Sequence, residues 1–379
     1  MSSADAPALP GSPLRVAVWG TGSVGAIAVQ IVADRSDLEL VAVRVHDPTK
    51  AGRDAGDLVG IDALGLLASD DGADLLSANP ECVCYAAIGA GRDDEVVADI
   101  AALLEVGIDV VTVSLPGLVH PPAFDPRLRD RLADAARAGG ATLYASGIEP
   151  GFAADQLPLT LLTMSHAVRS VRTQEIFRYD TYPNTFTITE VFGFGRPVDQ
   201  SCLMELPGVQ SMTWGPPVRM VADALGWTIE RIDERYEKAV TDRDLDTASG
   251  PIAAGTVGGV RFETVAVVDG RDAIVIEHVN RMADDIAPHW PTADRDGTYR
   301  VQIDGIPSMD CTLTLGDDET ASHDGMVATT MRIVNAIPAV RRAPSGLVSS
   351  LDLPLTLPVD RPAVVRRRSR RRAGYAAIR

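Results

Sequence analysis

Residues 15–25, RVAVWGTGSVG, constrain the fold of this chain more than any other segment. Val16 to Trp19 form an apolar run that reads as a buried strand. Gly20, Gly22 and Gly25 follow in the spacing G-x-G-x-x-G, and Val24, Ile27 and Ile31 then recur at helical period. Strand, tight turn and helix in this order lay a pyrophosphate on a helix N-terminus. Gly20 permits the turn, Gly22 lets the backbone approach the phosphates, and Gly25 lets the helix pack close to the strand. With Thr21, Ser23 and Val24 between them, these glycines are the expected cofactor-binding loop.

The pattern continues as alternating strand and helix. LELVAVRV (38–45), ECVCYAAIG (81–89), IDVVTVS (108–114) and ATLYAS (141–146) read as buried strands. RDDEVVADIAALLEVG and PRLRDRLADAARAGG between them carry helical periodicity and end at glycine. The expected class is α/β, a Rossmann-type doubly wound parallel sheet spanning residues 14–150. From residue 151 the grain changes. VRTQEIFRY, VRFETVAVV, DAIVIEHVNRM, TYRVQID and MDCTLTLG are β-branched and partly alternating, with VDG and IDG as turns. Residues 151–324 are therefore expected to form a second, sheet-rich α+β domain that supplies the substrate pocket. A helix at 325–340, with Val327, Met331 and Val334 on one face, opens a segment (325–362) expected to return to the first domain.

Composition limits what such a chain acts on. It has 379 residues, 46% of them hydrophobic, with 35 basic residues against 52 acidic ones, a net charge of −17. That balance disfavours nucleic acid and anionic membrane as partners and leaves a small-molecule substrate. Four cysteines, two of them in the strand-like CVC, fit a reduced core, and no metal site is read. The first 13 residues lack the apolar stretch of a signal peptide and read as a disordered leader. RRRSRRR (366–372), within 363–379, reads as a solvated basic tail without assigned function. The expected location is cytoplasmic.

The second strand bears on the cofactor. A carboxylate at its end accepts from the ribose 2′-hydroxyl of NAD, whereas a cation suits the 2′-phosphate of NADP. Here the stretch is VRVHDPTKAGRDAG: Arg44 stands at that point, His46 lies near the expected adenine, and Lys50 and Arg53 follow. NADP is the preferred cofactor, and Asp47 keeps NAD open. Ala87, Ile88, Gly89 and Thr112, at the carboxyl ends of the third and fourth strands, complete the expected cofactor contacts.

GRDAGDLVG (52–60) resembles the G-x-D-A-G-x-L-x-G stretch of the dihydrodipicolinate reductase N-terminal domain. GIEPGFAADQLPLTL, GPIAAGTVGGVRFE, IEHVNRM, APHWP and TTMRIVNAIPAV resemble the 2,4-diaminopentanoate dehydrogenase and amine dehydrogenase group. The likeness runs from about Leu14 to Pro362. It implies hydride transfer between a nicotinamide and a C=N carbon in a protein that is usually dimeric. Two departures stand out. The paired histidines of the reductases are absent. The stretch in which the dehydrogenases carry T-x-E-E-L-x-Y-P is here TVSLPGLVHPP, with no carboxylate between Asp109 and Asp125.

Chemistry must then come from elsewhere on the loops 87–92, 112–122 and 146–155. Glu149, in SGIEPGF, is expected to take over the role of the missing glutamate as acid–base; capping the next helix is its other reading. His120 is the second catalytic candidate, with Asp155 nearby in sequence. Phe152, Glu175, Phe177 and Tyr179 are the expected substrate contacts, Tyr182 and Phe194 possible aromatic walls, and His278 reads as a structural residue of a sheet. The expected function is an NAD(P)H-dependent oxidoreductase acting on a C=N or C=O carbon of a small apolar substrate. The alternatives are a carbonyl reductase that does not use ammonia and a dinucleotide sensor that has lost catalysis.

Overall fold

A computed structural model of the chain describes residues 12–359 apart from 90 and 318. The leader to residue 11 and the basic tail lie outside the described residues. The first layer system is β1 (Leu14–Trp19), α1 (Ser23–Asp34), β2 (Leu38–Arg44), α2 (Ala55–Val59), α3 (Gly72–Ser77), β3 (Cys82–Tyr85), α4 (Asp93–Glu105), β4 (Asp109–Thr112), α5 (Pro126–Gly139) and β5 (Thr142–Ala145). The remainder comprises α6 (Gln156–Leu162), β6 (Ala167–Arg178), α7 (Val209–Leu225), β7 (Arg231–Val240), the hairpin β8 (Leu245–Thr247) and β9 (Gly250–Ile252), β10 (Val257–Val268), β11 (Arg271–Arg281), β12 (Thr298–Ile306), β13 (Met309–Thr314), α8 (Ala321–Val334), α9 (Ile337–Val340) and β14 (Gly346–Val348).

The first sheet is wholly parallel in the order β14-β5-β4-β3-β1-β2. The order reverses between β1 and β3, which opens a crevice above their carboxyl ends. Local chemistry explains the elements well. Asp125 caps α5 by accepting from the Leu128 N–H at 3.0 Å, Pro126 occupies the first turn, and Gly140 ends the helix in left-handed conformation at φ 68°. Asp54, in the stretch shared with the reductase domain, accepts from the N–H groups of Gly56, Leu64 and Gly65 at 2.7–2.9 Å and so folds residues 54–65 into a closed loop.

The second sheet is mixed, in the order β13-β12-β6-β11-β10-β7, with β6 and β11 parallel and the other neighbours antiparallel. Its two faces differ in kind. Register places Tyr236, Phe262, His278, Glu175 and Tyr299 in one row across five strands on the face that α7 covers. The other face carries an ion-pair lattice in which Arg172 and Arg261 each bridge Glu263 and Glu277.

α8 and α9 return to the first sheet, with α8 against α1 and Ile333, Val334, Ile337 and Val340 in the apolar core beneath it. The buried positions of α8 are Ala321, Gly325, Thr330, Ile333 and Val334. The burial is rotated from the expected stripe, and Val327 and Met331 are only half-buried. The reason is that α8 touches both α1 and the loop after β5, so no single stripe faces a core.

The tightest packing in the first unit is at the glycine turn. A β-carbon on Gly25 would stand 2.1 Å from the Gly20 carbonyl oxygen, and the backbone of Ala86 closes on Gly20 from the other side. Gly25→Ala should therefore destabilise the fold by ~1–3 kcal/mol through overpacking and push α1 off β1. Thermal denaturation and dinucleotide titration should show the loss together, and unchanged values for both would contradict this packing.

Candidate active site

The glycine loop lies at the switch crevice. Gly22 and Ser23 are exposed, no side chain caps α1, and a β-carbon on Gly22 would meet nothing within 4 Å. The open space over a bare helix N-terminus fits a pyrophosphate. Thr21 flanks the loop, and Val24 is half-buried behind it. At the far end of β2 the Arg44 guanidinium lies 3.8 Å over the Trp19 ring, with its Nε unpartnered among the described residues. The Trp19 indole N–H donates to His46 Nε2 at 3.1 Å, so the exposed His46, Trp19 and Arg44 form one contiguous unit beside Gly20. Lys50 reaches back across the loop, its Nζ 3.3 Å from Thr21 Oγ1. The Asp47 carboxylate is turned instead into its own loop, accepting from the N–H and hydroxyl of Thr49 at 2.9 and 2.7 Å, which holds its pKa below the usual carboxylate value.

Farther along the crevice, Ala87 is buried, Ile88 is exposed and Gly89 packs directly on the Ser114 carbonyl. Thr112 is fully buried. Its hydroxyl donates to the Tyr85 carbonyl at 2.9 Å and accepts from the Ser114 N–H at 2.9 Å, tying the carboxyl ends of β3 and β4 together.

Beyond β5 the chain turns irregularly through Ile148–Phe152 and enters α6. This crossing carries Glu149 to the aromatic row of the second sheet. Its side chain is 3% exposed, and its Oε1 has no hydrogen-bond partner among the described residues. His278 Nε2 stands 3.9 Å from that oxygen. The Trp214 indole N–H lies near the carboxyl without completing a hydrogen bond, and is otherwise unpartnered among the described residues. Burial, followed by the neighbouring carboxyls of Glu175 and Asp155, pushes the Glu149 pKa well above the ordinary carboxylate value.

Glu175 and Tyr179 come together as their spacing implies, the tyrosine hydroxyl donating to Glu175 Oε1 at 2.7 Å. Asn280 Nδ2 donates to the same oxygen at 3.1 Å. Burial raises the Glu175 pKa even so. Phe177 packs with Tyr299, ring centroids 5.1 Å apart, and the half-buried Phe152 lies on the same cluster. His120 is placed differently. It joins the loop after β4 to α7 through a 2.8 Å contact of Nε2 with Asp223. Asp223 is nine residues beyond Trp214 on α7, about 13 Å along a helix.

His278 and Trp214 are the site residues that sequence reasoning misses. His278 stacks flat on Phe262, centroids 4.4 Å apart at 6°, with Trp214 edge-on at 4.8 Å. Burial depresses its pKa to about 3, so the ring is neutral. The alternation in EHVNR places His278 and Asn280 on one face, which is the only signal the sequence offers. Among the described residues, no group of three or more His, Cys, Asp or Glu side chains is arranged to hold a metal ion, and no helix is long and apolar enough to cross a membrane.

Residues 152–365 match the family model of the 2,4-diaminopentanoate dehydrogenase C-terminal domain. An amine dehydrogenase from Streptomyces virginiae is 40% identical, over 92% of this chain and 97% of that one. The chain belongs to the amine dehydrogenase and 2,4-diaminopentanoate dehydrogenase family. A 2,4-diaminopentanoate dehydrogenase from Acetoanaerobium sticklandii is 24% identical over 90% of this chain and 94% of that protein. The solved structure of an amine dehydrogenase from Mycobacterium smegmatis shares the fold, with a TM-score of 0.75 at 22% identity over 92% and 98% of the two chains. The protein is an NAD(P)-dependent oxidoreductase of amine or carbonyl substrates.

Asp155 gives a test of the electrostatics. Its carboxylate caps α6 at the Gln156 N–H, and burial raises its pKa from 3.8 to about 6, an effect that Gln156, Arg332 and Ser350 oppose. The folded state therefore binds the proton more tightly than the unfolded one, and stability falls as pH rises from about 4 to about 6, by ~3 kcal/mol, then levels. Asp155→Asn keeps a capping oxygen and cannot ionise. Its melting temperature relative to the parent should rise across that window, and a difference independent of pH would refute the burial cost.

Proposed function

We propose that the protein interconverts a small apolar amine and its carbonyl counterpart, with NADPH as the preferred reductant and Glu149 as the group that holds and moves the proton. The buried, unpaired carboxyl of Glu149 carries this reading. A carboxyl kept from water without a cation is destabilised in its charged form, which brings it toward the range of a general acid or base. A protein that merely sensed dinucleotide would have no use for such a group between its two sheets.

When bound, the nicotinamide supplies or accepts the hydride. The residues placed to hold the cofactor are the Gly20–Gly25 loop, Arg44 with His46, the 87–89 turn and Thr112. Arg44 and Lys50 favour a 2′-phosphate, because both cations flank the loop while Asp47 is engaged with Thr49. Phe152 on the crossing, with Phe177 and Tyr179 at the end of β6, walls the substrate, and Glu175 organises that wall through its hydrogen bonds. His120 serves in this reading as a link between the loop after β4 and α7. We take the enzyme to be cytoplasmic, and a homodimer as the family resemblance implies; light scattering on the purified protein reads the assembly directly.

Glu149→Gln should lower kcat by about 10²–10⁴ with cofactor affinity unchanged. In the amine-oxidising direction the parent kcat/KM should rise with pH as Glu149 loses its proton, and the variant should lose that limb. An intact pH profile in the variant would assign the proton elsewhere. Calorimetry should show Arg44→Ala and Lys50→Ala each weakening NADPH by ~1.5–3 kcal/mol, the worth of a charge-assisted hydrogen bond, while NADH is little affected. Equal losses for both cofactors would overturn the preference.

A further inference from the structure

The face of the second sheet below Glu149 holds buried polar atoms that nothing in the chain satisfies. Among the described residues, Glu149 Oε1, His278 Nδ1, Asn280 Oδ1, Thr173 Oγ1, Thr264 Oγ1 and Trp214 Nε1 have no hydrogen-bond partner. Register puts Thr173, Thr264, His278 and Asn280 on the same face, in three successive rows of the sheet. Buried polar atoms are nearly always paired, and each unpaired one costs about 1–3 kcal/mol. Orphans gathered on one face beneath a buried carboxyl are the mark of a polar guest.

The separation of Glu149 and His278 says what kind of guest. Their oxygen and nitrogen are 3.9 Å apart, too far for a hydrogen bond between them. A single nitrogen or oxygen atom at about 2.8 Å from each would hydrogen-bond to both, at an angle of about 90°. His278 is held neutral by burial and locked between Phe262 and Trp214, so it offers a fixed lone pair or N–H and no charge. Glu149 offers a carboxylate that lacks a cation. An atom bearing several protons and a positive charge satisfies both at once.

We propose that His278 is a substrate-binding residue, and that the gap between His278 and Glu149 is the seat of the substrate's nitrogen: the ammonium group of the amine, or ammonia in the reverse direction. The inference rests on the reading of Glu149 as the proton-handling group and adds to it the residue that recognises nitrogen over oxygen. In the reductive direction a ketone, ammonia, a proton and NADPH give the amine, water and NADP⁺, so ammonia has its own saturation curve. His278 acts on that curve and not on the apolar part of the ketone.

The experiment compares the full-length parent with His278→Phe, which keeps the aromatic stack and deletes both nitrogens, and His278→Asn, which restores a polar atom without the ring. Steady-state rates are measured with saturating NADPH while cyclohexanone and ammonium chloride are varied separately. Calorimetry of methylammonium chloride against the NADP⁺ complex gives a readout independent of turnover, with Glu149→Gln as a second control. His278→Phe should raise the ammonia KM at least tenfold and leave the cyclohexanone KM and NADPH affinity within twofold, with partial recovery in His278→Asn. Methylammonium should bind the parent and lose at least tenfold in affinity in His278→Phe and Glu149→Gln alike. Equal changes for ammonia and ketone, or methylammonium binding that ignores His278, would overturn the proposal. Reduction of cyclohexanone to its alcohol without any use of ammonia would overturn it while leaving Glu149 as the proton donor. If Glu149→Gln alone proves silent in turnover and pH profile, the reading of Glu149 fails, and the nitrogen seat is then judged by methylammonium binding in His278→Phe, where no change overturns it.

Discussion

Both sheets depend on one crossing, the ten residues that leave β5 and become α6. Ser146 to Asp155 carry the chain from the first sheet into the second, and α8, on the segment that returns it to the first sheet, braces them from behind. The Ile148 N–H donates to Thr329 Oγ1 at 3.3 Å, the Arg332 guanidinium lies 5.4 Å from the Phe152 ring centroid, and Arg332 Nη2 donates to the Tyr144 hydroxyl at 3.2 Å. α8 also packs on α1, whose first turn is the glycine loop. A single helix thus fixes the distance between the dinucleotide end of the crevice and the carboxyl of Glu149. On the proposed reading of Glu149, that geometry lets hydride reach the carbon and a proton reach the nitrogen or oxygen of one substrate bond.

The first half of the molecule is legible in sequence because its determinants are local. Glycine spacing, an N-cap at Asp125 with Pro126 behind it, and strands such as CVCY each declare themselves within a dozen residues. The second half hides more. α7 escapes detection because Pro216 and Pro217 stand in its interior, where proline ordinarily ends a helix. β7, RIDERYEKAV, is an edge strand with mostly charged or half-exposed positions, and its alternation is too weak to stand out. Those two elements supply Trp214 and Tyr236, which flank the row containing Phe262 and His278. Without α7 there is no lid on the sheet, and His278 reads as one more alternating residue. Glu149 was within reach of sequence reasoning because it sits at the end of a recognisable strand. Its missing partner was not, since that depends on what the second sheet brings opposite.

The loop after β4 makes the relation between site and family concrete. Where relatives are expected to bear a glutamate, this chain has apolar Leu115, Leu118 and Val119, all buried, and His120 is drawn toward α7 by Asp223. The loop has become packing between the first sheet and α7, which is incompatible with a carboxyl pointing into the crevice. A carboxyl at Glu149 approaches from the next strand instead. The two facts support each other, because an apolar loop after β4 excludes water from the same region and so strengthens the desolvation of Glu149.

Three carboxyls, Glu149, Asp155 and Glu175, share this region, and burial raises the pKa of each. Their protein surroundings differ in a way that sorts their roles. Asp155 has a helix N-terminus and Arg332 to compensate its charge, and Glu175 has the Tyr179 hydroxyl and the Asn280 amide. Both rises are opposed by groups of the chain itself, although burial still prevails. Glu149 has a nearby indole that completes no hydrogen bond and an uncharged imidazole. In a buried site the like charges of the other two make its ionisation harder still, so the form that ionises most readily is the one with a cation already beside it. On the proposed reading of Glu149, binding of a positively charged substrate and loss of the Glu149 proton are coupled by electrostatics: a cation in the gap favours the carboxylate, the form that acts as a base.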